Sequence, residues 1–282
     1  PTSTPTATPT PGPGIEGDIS PRLFGDGTIL TTDVVQMRRF ATNLDTPDPS
    51  TNELQRADCA PFTTFGDGAI TATDVIQVRR FAAGLDPFTP AGGPSSRPTG
   101  ELLTTKGESQ TVGRELRIGT ALRNNGISVR VPVEMKAYGD EVAVGFTLTF
   151  EEGVFVNPRV TLGPTAPDGS TLSVNAEKDG RIAILLDSPG RMVASGVPTE
   201  LVYVELDIVG GADRGSVPLA FTSDLAVRSV SDELGGSLPT LFTNGNIELG
   251  EYKERAAVDR TMDMWFLKYP MLPLIGTSLS LF

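Results

Sequence analysis

The strongest constraint on this chain is a repeat near its start. FGDGTILTTDVVQMRRFATNLD, from Phe24 to Asp45, recurs as FGDGAITATDVIQVRRFAAGLD, from Phe65 to Asp86. Asp26 and Asp67 set the offset at 41 residues, a period that means one supersecondary unit used twice. Each copy reads as a Gly/Asp loop running into a helix. Val34, Met37, Phe40 and Ala41 share one helical face, as do Val75, Val78, Phe81 and Ala82. Asp33 and Asp74 fall in the first helical turns, where a carboxylate favours the dipole. Gly84 is suited to cap the second helix and Asn43 the first.

The flanks differ in character. Residues 1–15 open with PTSTPTATPTPGPG, a Pro/Thr arm with nothing to bury, and residues 89–110 begin a second Pro/Gly/Ser linker. Such stretches are typical of extracellular or cell-surface multidomain proteins. From 111 to 250 the chain breaks into short runs rich in Val, Ile, Leu, Phe and Thr. These are Glu115–Leu122, Ser128–Tyr138, Glu141–Phe150, Thr171–Val174, Arg181–Leu186, Leu201–Val209, Val217–Phe221 and Thr240–Leu249, divided by turn signals at Asn125-Gly126, Asp179-Gly180 and Asn244-Gly245. VRVPVEM and LVYVELDIV alternate as half-buried antiparallel strands do. The fold expected is mainly β with a small α part: two loop–helix repeats at 16–88, then an antiparallel β-sandwich of jelly-roll type. The tail 251–282 carries a short helical pattern and ends apolar. Lys268 and two prolines argue against a membrane span, so it should dock on its own domain or on a neighbour.

Composition removes whole classes of function. There is no histidine, which excludes Ser-His-Asp and Cys-His catalysis and most catalytic zinc sites. Cys59 is alone, so it forms neither an internal disulfide nor a thiolate cluster. A net charge of −12 argues against nucleic acid and is compatible with cation binding. Glu151-Glu152 and Asp232-Glu233 are sequence neighbours, unlike the facing pair that glycoside hydrolysis needs. No phosphate loop, dinucleotide fingerprint or nucleophile elbow is present, and no enzyme is expected.

The repeated loops point to calcium. An EF-type loop offers oxygens at positions 1, 3, 5, 7, 9 and 12 with Gly at 6, because a hard cation needs several oxygens at once. Asp26-Gly27 and Asp67-Gly68 fit positions 5 and 6, Thr28 and Ala69 position 7, and Asp33 and Asp74 position 12. Thr71 falls at position 9, where the first loop has Leu30. Two copies in register resemble the duplicated type I dockerin module over roughly residues 16–88. They depart from it by an insertion, Ile19–Phe24 in the first copy with a similar stretch after Asp58, so Asp18 and Asp58 reach position 1 only if the insertion loops outward. The resemblance implies two calcium ions. It also implies a partner-facing surface at Thr31, Thr32, Arg38 and Arg39, and at Ala72, Thr73, Arg79 and Arg80.

The second half resembles a cohesin domain, the sandwich that receives dockerins. VRVPVEM, VGFTLTFEEGVF, LSVNAEKDGRIAILL, ELVYVELDIVG and FTNGNIEL follow the family's order and spacing. A chain with both modules is expected to self-assemble head to tail through calcium-stabilised contacts into a fibre or surface filament. The alternatives are a monomeric scaffold or adaptor for other cohesin or dockerin proteins, docking of the two modules within one chain, and a carbohydrate-binding adhesin. The last is disfavoured because Phe146, Phe150, Phe155, Tyr203 and Phe221 sit in strand runs suited to a core.

Overall fold

A computed structural model describes residues 14–96, 113–124, 127–209 and 215–249. The Pro/Thr arm up to residue 13, the central linker from 97 to 112, Asn125-Gly126 and the tail 251–282 lie outside the described residues. The repeats form α1 (Thr31–Ala41) and α3 (Ala72–Ala82), with a short α2 (Glu53–Ala57) and a 3-10 turn (Phe62–Thr64) between them. Each long helix has an acidic residue in its first turn and a left-handed residue just past its end, Asn43 at φ 57° and Gly84 at φ 67°. There Leu44 and Leu85 donate back to the Arg39 and Arg80 carbonyls, closing the orphan groups of the last turn.

Among the described residues twelve strands follow: β1 (Glu115–Ile118), β2 (Leu122–Asn124), β3 (Ser128–Lys136), β4 (Glu141–Thr149), β5 (Phe155–Leu162), β6 (Thr171–Lys178), β7 (Arg181–Asp187), β8 (Thr199–Ile208), β9 (Ser216–Thr222), β10 (Ser229–Asp232), β11 (Leu241–Thr243) and β12 (Gly245–Glu248). They build two six-stranded sheets. One runs β11-β1-β3-β8-β5 with β2 beside β3, and the other β12-β9-β4-β7-β6 with β10 beside β4. Every pairing is antiparallel except β1 with β11. The chain is thus mainly β, a two-sheet sandwich with a small helical part. Among the described residues no helix is long and apolar enough to cross a membrane.

Several strand boundaries depart from the sequence pattern. Residues 240–249, read as one run cut by an Asn-Gly turn, are two strands in different sheets: β11 lies beside β1 and β12 beside β9. Asn244 is therefore a crossing point between sheets, and its side chain accepts from the Phe221 amide at 2.8 Å. The pattern also missed β5, because Pro158 and Arg159 interrupt it. As an edge strand it tolerates both.

Two cores result. Val131, Val133, Val204 and Leu206 of the first sheet meet Phe146, Leu148, Ile182 and Ile184 of the second inside the sandwich. Phe150, Phe155 and Phe221 join them, whereas Tyr203 faces outward with Arg130 stacked 4.0 Å from its ring centroid. The second core belongs to the repeats, with Ile19, Ile29, Met37, Phe40, Val75, Val78 and Phe81 at its centre, and it extends onto the sandwich through Val142, Ala143 and Leu185. Ala82 does not share the apolar face of its helix; it is exposed at the rim.

Candidate functional site

Each loop is organised by two aspartates that gather backbone amides. In the first, Asp18 accepts from Asp26 at 3.1 Å and Gly27 at 2.9 Å, while Asp33 accepts from Ile19, Ser20 and Leu30, each at 2.8 Å. In the second, Asp58 accepts from Asp67 at 2.9 Å and from Gly68, and Asp74 from Cys59 and Ala60 at 2.9 Å and Thr71 at 2.8 Å. The inserted residues do loop outward, which brings Asp18 and Asp58 back beside Gly27 and Gly68. Gly25 and Gly66 permit that return, since a Cβ at either would collide with the Asp18 carboxylate or the Asp58 carbonyl.

The four organising carboxylates are buried, at 2% exposure or less. Burial raises the Asp18 carboxyl above its ordinary range even though the Gly27 and Asp26 amides and nearby Arg56 pull it down. Burial and then the Asp58 charge push Asp74 well above its usual value. The Cys59 thiol is likewise driven up, first by burial and then by Asp74, Glu16 and Asp58. Asp26 and Asp67 turn instead onto their own loops. Asp26 takes the Thr28 amide at 2.9 Å and its hydroxyl at 2.5 Å, and Asp67 the Ala69 amide at 3.1 Å. Thr71 uses its hydroxyl locally, against Thr73 at 2.6 Å. Among the described residues no three His, Cys, Asp or Glu side chains form a ready metal cluster. What the loops do supply is oxygen only, two buried carboxylates each, with Thr28 and Ala69 at the turn. That donor chemistry suits a hard cation completed by carbonyls and water.

The second site is the contact between the helical module and the sandwich. Arg38 and Arg79 occupy equivalent positions in the two repeats and converge on one carboxylate. Arg38 holds Asp187 through both oxygens at 3.0 Å, and Arg79 reaches the same side chain at 3.2 Å and the Ser188 carbonyl at 2.8 Å. Asp187 is 2% exposed, and bidentate Arg–carboxylate geometry fixes orientation as well as charge. The Ala72 amide donates to Ser229 Oγ at 3.2 Å, Asn175 Nδ2 to the Thr42 carbonyl at 3.0 Å, and Arg80 to the Glu233 carbonyl at 3.0 Å. Gly145 leaves room for Ser229, whose hydroxyl takes the Ala72 amide of α3. At Gly145 an added Cβ would stand 3.1 Å from Ser229 Oγ. A groove of about 640 Å³ remains open at this junction, lined by Leu30, Val34, Ile76, Leu85, Val142 and Pro189 among others.

The sequence-derived surface is therefore divided. Arg38, Arg79, Arg80, Ala72 and Thr73 lie in or beside the junction and the exposed Thr31 lines its groove, whereas Thr32 is exposed and Arg39 pairs at 2.6 Å with Asp45 on the solvent side. On the sandwich, Asp187, Asn175, Ser229 and Ala143 escaped sequence reasoning. One signal was present: β4 and β7 read VAVGFTL and IAILL without alternation, the pattern of strands covered on both faces.

No protein-family model matches the chain, and no curated protein matches it. Solved structures similar to about half of it are cohesin domains. The sixth cohesin of scaffoldin B from Acetivibrio cellulolyticus, solved with a Cel5 dockerin mutant, is 20% identical, with a TM-score of 0.41 over 49% of this chain and 99% of that one. CaCohA2 from Clostridium acetobutylicum is 23% identical, with a TM-score of 0.41 over 49% of this chain and 90% of that one. A non-cellulosomal cohesin from the hyperthermophilic archaeon Archaeoglobus fulgidus is 17% identical, with a TM-score of 0.40 over 52% of this chain and 98% of that one.

Proposed function

We propose that this chain is a non-catalytic extracellular assembly protein in which a calcium-stabilised, dockerin-like module and a cohesin-like sandwich are cognate partners. The observation that carries this is the convergence of Arg38 and Arg79, one from each repeat, on the buried Asp187 of the sandwich. A matched pair of surfaces within one chain can be satisfied internally or by the next copy, because the contacts are the same in both arrangements. Exchange between copies is heterologous and either closes into rings or propagates as a filament. Calcium acts by linkage: an ion that binds only folded loops stabilises the helical pair and so preorganises its docking face.

The closed arrangement in this structure also supports a second reading. In it the module stays docked on its own sandwich, and the chain is a monomeric adaptor whose remaining surfaces meet other proteins. Light scattering and electron microscopy of the purified chain, with calcium and with excess chelator, separate the two. Ordered rings or fibres that dissolve on chelation support exchange between copies. A monomer in both conditions removes the self-assembly reading and leaves the adaptor.

A further inference from the structure

The groove left open at the junction is walled by both parts of the chain. Leu30, Val34, Ile76 and Leu85 come from the repeats, and Val142 and Pro189 from the sandwich. Its volume of about 640 Å³ is that of a small-molecule site, and apolar walls with a few polar groups are what such sites offer.

The polar groups here are mostly guanidiniums. Arg38, Arg79 and Arg80 line the groove with Glu233, in a chain whose net charge is −12. Their countercharges are unevenly shared. Arg80 is matched by Asp86, which accepts from its Nε at 2.7 Å and its Nη2 at 2.9 Å, and Glu233 is matched by Arg191. Arg38 and Arg79 have one carboxylate between them, the buried Asp187. Arg38 takes both of its oxygens through Nε and Nη2. Arg79 is left with Nη1 alone, which donates to Asp187 Oδ2 at 3.2 Å and to the Ser188 carbonyl at 2.8 Å. The Nε and Nη2 groups of Arg79 have no hydrogen-bond partner among the described residues, and 28% of its side chain is exposed. One positive charge is therefore unmatched, on a guanidinium whose Nε–Nη2 edge is free.

We propose that this groove binds a small amphiphilic anion, a carboxylate on a short apolar chain, with Arg79 taking the head and the apolar walls the body. A carboxylate matches a free guanidinium edge bidentately, as Asp187 matches that of Arg38. The chain would cover Leu30 and Leu85, which stand 56% and 67% exposed. Because both parts wall the groove, a bound ligand also favours the docked form by mass action. That consequence rests on the docking reading above, whereas binding is the same whether the module docks within one chain or between copies.

Isothermal titration of the full chain with sodium octanoate tests this, beside octan-1-ol, octylamine and inorganic phosphate. One octanoate per chain is expected, with each of the other three at least roughly tenfold weaker. No octanoate binding, or equal binding of the alcohol, the amine or phosphate, overturns the proposal. Arg79→Lys keeps the charge but loses the planar fork, and should weaken octanoate binding roughly tenfold. Leu85→Glu, at an exposed position away from the Asp187 pairs, should weaken it by a similar factor through like-charge repulsion. Unchanged affinity in either variant overturns the site. Exchange of the Ala72 amide, which donates to Ser229 Oγ across the junction, reports docking in the same sample. A protected Ala72 amide without octanoate binding removes the ligand site and leaves docking in place, while an unprotected one without binding removes both.

Discussion

Asp187 receives a guanidinium from each repeat and is almost wholly buried, so its loss leaves two arginines facing an apolar sheet. Arg38 and Arg79 keep 19% and 28% of their side chains exposed, which moderates the cost through solvent screening. Asp187→Ala should destabilise docking by about 2 kcal/mol, more than Arg38→Ala or Arg79→Ala alone, as chemical denaturation would measure. Glu141 is a second residue whose charge matters. Burial alone would raise its carboxyl, but the Tyr138 amide, the Arg114 guanidinium and the Gly139 amide hold it below the ordinary value of 4.5. A depressed folded-state value contributes stability above the unfolded value that is lost as pH falls through the folded one. Melting curves from pH 6 down to about pH 3 should therefore show a flatter acid decline in Glu141→Gln than in the parent.

The helices α1 and α3 have almost the same sequence, TTDVVQMRRFA and ATDVIQVRRFA, yet opposite surroundings. On α1 only the inward face is buried: Asp33, Val34, Met37, Phe40 and Ala41. On α3, Ala72, Thr73, Ile76 and Gln77 are buried as well, because that helix lies between α1 and the outer face of the second sheet. The equivalent residues Val35 and Ile76 show the contrast, at 49% and 3% exposure. Ile76→Asp should cost about 3 kcal/mol by burying an unpaired charge, whereas Val35→Asp should stay within about 0.5 kcal/mol. Equal effects in urea titrations would mean that α3 does not rest on the sheet. Strands tell the same story. β3 and β8 keep their charged residues outward and alternate, while β4 and β7 are buried on both faces.

At the scale of the whole molecule, the repeat core and the sandwich core meet through one sheet, at Val142, Ala143 and Leu185. Loosening the loops should then be felt in β7 before it is felt in β8, which lies in the other sheet. Hydrogen exchange with and without chelator should show faster exchange at Leu185 and Asp187 on calcium removal and little change at Val204 and Leu206. Uniform change across both sheets would instead indicate global destabilisation. On the proposed reading assembly and closure would compete, because a module docked on its own sandwich covers the face that the next copy would need.

Much of this was legible in the residues. The 41-residue repeat, the Gly/Asp loops, the alternating β3 and β8 and the absence of histidine all follow from local pattern, because periodicity, turn chemistry and side-chain inventory need no partner to be read. The sequence therefore determined a duplicated loop–helix unit followed by a two-sheet sandwich, and it ruled out the histidine-based chemistries. The tertiary structure alone decided which strands belong to which sheet, that α3 lies against the sandwich sheet while α1 reaches it through Arg38 and Thr42, and that Arg38 and Arg79 share Asp187, up to 149 residues away. It also decided that Arg56, from the short helix before the second loop, enters the first. Such pairings join residues far apart in the chain, and two near-identical helices acquire different roles only when one of them is covered.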